Sequence, residues 1–162
     1  VSVSLLQTGQ MSFAKEKVEV GSLCRLLVHD YAAKAKADVI VKADLPEKAV
    51  FLNTDVARIK QVLENLLSNA TKFTDKGHII LSLKMTEAGD AICFIVTDTG
   101  CGIPESTQEK VFDSFHKQDS FVQGIGLGLT ICKLIAQYLN GSIHLDTEYK
   151  KGTRMIFTHP II

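Results

Sequence analysis

Asp55 to Phe73, DVARIKQVLENLLSNATKF, restricts what this chain can fold into more than any other segment. Its apolar residues recur at helical intervals, and Asp55 or Thr54 supplies an N-cap. At about 100° per residue, Ile59, Leu63, Leu66, Ala70 and Phe73 share one face, flanked by Val56, Val62 and Leu67. A helix marked in this way must lie against an apolar layer. A polar stripe of Arg58, Gln61, Asn65, Asn69 and Lys72 abuts that face. Asparagine is a poor interior helix residue, so two of them four apart beside the core face suggest a polar pocket bordering the core. The plainer alternative is a solvated helix face. An asparagine carbonyl can hold a hard cation, and Lys72 can supply positive charge to a phosphate.

The flanking segments set the class. A helix is expected over Val20 to about Ala37, a strand over DVIVKADLP and a short strand at AVFLN. After the long helix come strands at His78–Met85 and Ala91–Thr97, split by the turn TEAGD. A short helix is expected over Glu105–Val111, another helix over Gly126–Leu139 ending at Asn140-Gly141, and strands at Ser142–Thr147 and Thr153–Thr158. Locally paired strands with helices between the pairs predict an α+β fold, a mostly antiparallel sheet covered by helices on one face. Residues 1–20 read as irregular.

Composition narrows the function. The 162 residues suffice for one domain, and a formal net charge of zero, with scattered basic residues, gives no reason to expect nucleic acid or a membrane surface as partner. Cys24, Cys93, Cys101 and Cys132 have no CxxC spacing and form no metal pattern with the five histidines, so they read as reduced residues of a cytosolic compartment. No apolar run approaches twenty residues.

Two glycine-bearing stretches carry chemistry. In GIGLGL, Gly124, Gly126 and Gly128 precede an apolar helix, where free backbone N–H groups form an anion site. In DTGCGI, Asp98 ends the apolar strand AICFIVT, and a carboxylate there can accept a hydrogen bond from an amine while Gly100 and Gly102 let the backbone pass close to a flat ring. Each motif alone is weak, and an Asp-initiated turn is common. Their order is the stronger signal: asparagine helix, DTGCGI, the aromatic pair FDSF, then GIGLGL.

In that order the chain resembles the catalytic, ATP-binding domain of sensor histidine kinases, within the superfamily that also holds gyrase B, Hsp90 and MutL. The matching segments are QVLENLLSNATKFTDKG, DTGCGI, FDSF and GIGLGL, with NGSIHL and KGTRMIF as closing strands. The resemblance implies a two-layer sandwich of the Bergerat type with an ATP lid over about His116–Gln123, and ATP and magnesium as cofactors. It implies Asp98 on the adenine amine, with Thr153 nearby, Asn69 on magnesium beside Asn65, and Lys72 on phosphate, so that Asn69 and Lys72 are the catalytic residues. It also implies nucleotide contacts from Phe73, Gly100, Gly102, Ile103, Phe115, Leu127 and Leu129, with Gly124, Gly126 and Gly128 hinging the lid and Lys117 a candidate for the γ-phosphate.

The lid is short, and no histidine sits in the family's phosphoacceptor pattern; His29 has an acidic neighbour but no following Thr-Pro. The phosphoacceptor is therefore expected on a dimerisation hairpin outside this chain, with residues 1–19 as the end of that hairpin and a linker, and 20–162 as the catalytic domain. The implied partners are that histidine domain and the receiver domain of a response regulator, in a cytoplasmic part of a membrane-bound, homodimeric parent; this chain alone is expected to be monomeric, without direct membrane contact. The alternatives are an ATP-hydrolysing machine and a serine-kinase or regulatory module of the same superfamily. Hydrolysing relatives place a glutamate one turn before the magnesium asparagine; here Asn65 stands there, and Glu64 projects about 140° from Asn69 on the wheel.

Overall fold

A computed structural model describes residues 15–103, 108 and 120–161, and over 120–128 the backbone alone. The elements run β1 (Glu16–Glu19), α1 (Val20–Lys34), β2 (Val39–Asp44), β3 (Phe51–Thr54), α2 (Val56–Phe73), β4 (Gly77–Met85), β5 (Ala91–Asp98), α3 (Ser120–Tyr138), β6 (Ser142–Leu145) and β7 (Thr153–Pro160). Five strands form one sheet in the order β2-β4-β5-β7-β6, and β1 pairs with β3 in a separate two-stranded ribbon. Among the described strands only β2 and β4 pair in parallel; the other pairs are antiparallel, in keeping with the α+β reading.

Strand alternation decides which side of the sheet the helices cover. Ile79, Leu81 and Leu83 on β4, Ile92, Phe94 and Val96 on β5, and Met155 and Phe157 on β7 are all buried. They meet Leu23 and Leu27 of α1, the apolar stripe of α2, and Leu129, Cys132, Ile135 and Ala136 of α3 in one core. Phe94 and Phe157 lie opposite each other in the β5/β7 register, with ring centroids 5.5 Å apart. The residues of opposite phase, Ile80, Ile95 and Ile156, are only half-buried, and Ile40 is exposed. The described residues form a two-layer α+β sandwich whose helices pack on one face of the sheet.

The wheel drawn for α2 survives folding: Ile59, Val62, Leu63, Leu66, Leu67 and Ala70 are buried. Asp55 caps the helix, its Oδ1 accepting the N–H groups of Ala57 at 3.1 Å and Arg58 at 3.4 Å. Asp55→Ala is expected to cost about 1 kcal/mol, seen as a lower urea midpoint at unchanged slope. At the end of α3, Asn140 adopts φ 62° and the Gly141 N–H donates to Ala136 O at 2.8 Å, the left-handed turn announced by Asn-Gly. His159 is buried, and its Nε2 lies 2.8 Å from Thr54 Oγ1, tying β7 to β3.

Five expectations need correction. Glu16–Glu19 are not irregular but form β1, because β3 offers them an antiparallel partner from Phe51 to Thr54. The first helix stops at Lys34 rather than Ala37, β6 ends at Leu145, and β7 reaches Pro160. The third helix begins at Ser120, so Gly124, Gly126 and Gly128 lie within it rather than ahead of it. Glycine in a helix interior costs only about 1 kcal/mol, and the packed stripe from Leu129 to Leu139 offsets that cost. Apart from Gln108, the helix expected at Glu105–Val111 lies outside the described residues, as do Phe115 to Lys117.

Candidate functional site

Alternation along β5 turns Phe94, Val96 and Asp98 toward the helices, and Asp98 is the last residue of the strand. It is 5% exposed. Its Oδ1 accepts two backbone N–H groups, from Gly100 at 2.9 Å and from Thr153 at 3.1 Å; no described residue bonds Oδ2. Burial pushes the carboxyl above its ordinary value, and the two N–H groups pull against that rise. Thr153 opens β7 directly opposite Asp98, so the strand register itself delivers the second N–H.

Asp98 faces an open cleft between α2, α3 and the sheet. Leu66, Ala70, Val96, Ile103, Leu129 and Met155 give it apolar walls. Asn69, Phe73 and Thr153 complete the lining. A buried anionic acceptor among apolar walls suits a flat, weakly polar ring that carries an N–H donor.

The loop after Asp98 is pressed onto the end of α2. The Cys101 N–H donates to Phe73 O at 3.2 Å. A methyl group on Gly100 would lie 2.4 Å from Phe73 O and 2.8 Å from Thr74 Oγ1, so only glycine permits the approach. Gly102 follows at φ +75°. Thr74 Oγ1 is buried there and has no hydrogen-bond partner among the described residues.

Eight of the residues named from sequence thus sit in or beside one cleft: Asn69, Phe73, Asp98, Ile103, Leu129 and Thr153 in its lining, and Gly100 and Gly102 in its loop. Others stand apart. Lys72 is exposed, with its ammonium 5.4 Å over the Phe73 ring. Asn65 does not line the cleft; it lies near Cys132 of α3, whose thiol donates to Val62 O at 3.8 Å and is held up at about 12 by burial, the asparagine pulling the other way. Gly124, Gly126, Leu127 and Gly128 lie on α3, and Phe115 is outside the described residues. Val96 and Met155 were not singled out from sequence, yet each is two residues from a named site residue on its strand, and period-two spacing would have found them. Tyr149, whose hydroxyl donates to Asp98 O at 3.2 Å, carries no such signal.

Among the described residues no helix is long and apolar enough to cross a membrane, and no group of three or more His, Cys, Asp or Glu could hold a metal. Sensor histidine kinase WalK of Bacillus subtilis is 31% identical over 165 residues, covering 99% of this chain but 27% of that protein. Sensor histidine kinase RcsC of Escherichia coli is 40% identical over 120 residues, 72% of this chain and 12% of RcsC. The chain therefore spans only a small part of these relatives. The solved catalytic domain of histidine kinase ThkA is 27% identical, with a TM-score of 0.75 over 91% of this chain and 96% of its own. Full-length ShkA in complex with AMPPNP shares the fold, with a TM-score of 0.86 at 23% identity over 98% of this chain and 34% of ShkA. The family model described as histidine kinase-, DNA gyrase B-, and HSP90-like ATPase matches residues 54–161, from the strand end that precedes α2 through β7. That match takes in every wall of the cleft, and the chain belongs to this ATPase family.

Proposed function

We infer that this chain binds ATP with magnesium and presents the γ-phosphoryl group to a histidine on a separate dimerisation hairpin, as the first step of two-component signalling to a receiver domain. The observation that carries this is the Asp98 carboxylate: Oδ1 is fixed by two backbone N–H groups, Oδ2 takes none from the described residues, and apolar walls surround it. Such an acceptor fits the exocyclic amine of adenine, with the ring between Val96, Ile103 and Met155. Asn69, on the cleft wall one helical turn from Phe73, would hold magnesium through its amide oxygen, and the ion supplies neutralisation of phosphate charge when bound. Lys72, exposed one turn beyond, is placed to reach a phosphate from the rim. The protein's contribution is positioning and charge.

The position of Glu64 argues for transfer over hydrolysis. It does not line the cleft; it lies toward α1, where its charge helps to raise the Tyr31 hydroxyl, after burial. No carboxylate of α2 is therefore in place to activate water at the cleft.

The test has two steps. Calorimetry should show AMPPNP binding that magnesium strengthens, with Asn69→Ala removing the magnesium effect. A phosphoacceptor hairpin added with γ-labelled ATP should then take up an acid-labile phosphate. Absence of binding, or release of label only as inorganic phosphate in a reaction that Glu64→Ala abolishes, would overturn the kinase assignment.

A further inference from the structure

We propose that Tyr149 and Arg154, both outside the cleft, form a positioning clamp that holds Asp98 in the orientation needed to read the base. This rests on the nucleotide role of Asp98 inferred above. The loop between β6 and β7 folds back on itself: the Asp146 N–H donates to Arg154 O at 2.9 Å, and the Glu148 N–H to Asp146 Oδ1 at 3.1 Å. That turn brings the Tyr149 ring under the Arg154 guanidinium, 4.3 Å from carbon to centroid. Arg154 is itself tied down twice. Its Nε donates to Thr97 Oγ1 at 3.1 Å, and its Nη1 pairs with Asp146 Oδ2 at 3.6 Å.

So braced, the Tyr149 hydroxyl donates to the main-chain carbonyl of Asp98 at 3.2 Å. The same peptide is held from the other side, because Gly152 packs so close that an added methyl would sit 2.0 Å from Asp98 O. At this last rung of the β5/β7 register the Thr153 N–H is drawn to the carboxylate. Tyr149 thus fixes the backbone of a residue whose side chain is fixed by Thr153 and Gly100. Arginine suits this place better than lysine, since one guanidinium meets the Tyr149 ring, Thr97 Oγ1 and Asp146 at once through separate groups.

The test compares AMPPNP with its counterpart lacking the 6-amino group, on the whole chain, by calorimetry or competition. The unsubstituted protein should prefer AMPPNP. Tyr149→Phe should weaken AMPPNP roughly three- to tenfold, the worth of one hydrogen bond, and leave the deamino counterpart within about twofold. Arg154→Lys should narrow the preference in the same sense. Equal weakening of both nucleotides would mean a merely structural role and would overturn the clamp, as would no change in either. An unsubstituted protein that binds both nucleotides equally would overturn the role of Asp98, and the clamp with it.

Discussion

Replacing Asp98 by asparagine is expected to raise the melting temperature of the ligand-free protein and to weaken its nucleotide binding about 100-fold. The two effects share one cause. Burial lifts the Asp98 carboxyl in the folded state, with only partial relief from the Gly100 and Thr153 N–H groups. Between the unfolded carboxylate value and the raised folded value, the native state binds the proton that the unfolded chain has lost. The contribution of Asp98 to stability is therefore fully present below the unfolded value and is lost as pH rises through the folded one. Above the raised folded value the ionised side chain is a net cost to the empty protein. Asparagine removes that cost and can still accept both N–H bonds with its amide oxygen. Each kcal/mol so recovered raises the melting temperature by about 2–4 °C in a domain of this size.

Binding suffers for the complementary reason. With the amide oxygen on Gly100 and Thr153, the NH₂ group faces the adenine amine, donor against donor. Flipped, the amide loses both backbone bonds instead. Neither arrangement restores what the carboxylate offers. Thermal melts across pH 4 to 8 together with AMPPNP titrations check both halves. A variant that melts lower at neutral pH, or that binds as the parent does, would contradict the prediction.

The sequence was most informative where one periodicity governs one element. The α2 stripe placed Ile59, Leu63 and Leu66 in the core and Asn69 at its border, because a helix carries its own geometry. The pairing of Asp98 with Thr153 could not be read directly, since the two lie 55 residues apart and only the sheet register joins them. The family resemblance put Thr153 near Asp98, but not which atoms bond. Glu16–Glu19 shows the opposite failure: EKVE has no apolar alternation, and its strand comes from the partner β3 rather than from its own residues. Gly124, Gly126 and Gly128 suggested a break because glycine is costly in helices, but the cost is small beside the packing of the residues that follow. Tyr149 and Arg154 were invisible for a further reason. Their contact is made by a turn whose shape depends on Asp146 bonding, and no spacing rule reports it.

Gly152→Ala carries the largest expected loss of stability of any single methyl group near the site. The added carbon would lie 2.0 Å from Asp98 O, 2.8 Å from Asp98 C and 2.9 Å from Thr99 Cα, all of them backbone atoms that no rotamer can move aside. Relief requires β7 to part from β5 at its first rung, which withdraws the Thr153 N–H from Asp98 Oδ1. The substitution should therefore cost more than about 2 kcal/mol and weaken nucleotide preference along with stability. Gly89→Ala is the control. It too places a side chain at positive φ, +73°, but its nearest neighbour is Met85 Sδ at 3.9 Å, so only the backbone penalty of about 1 kcal/mol applies. Denaturant melts of the two variants separate crowding from backbone strain. Equal losses would mean that Gly152 is needed for its conformation alone, whereas a larger loss at Gly152 would establish that the backbone of β7 is packed directly against the carbonyl of Asp98.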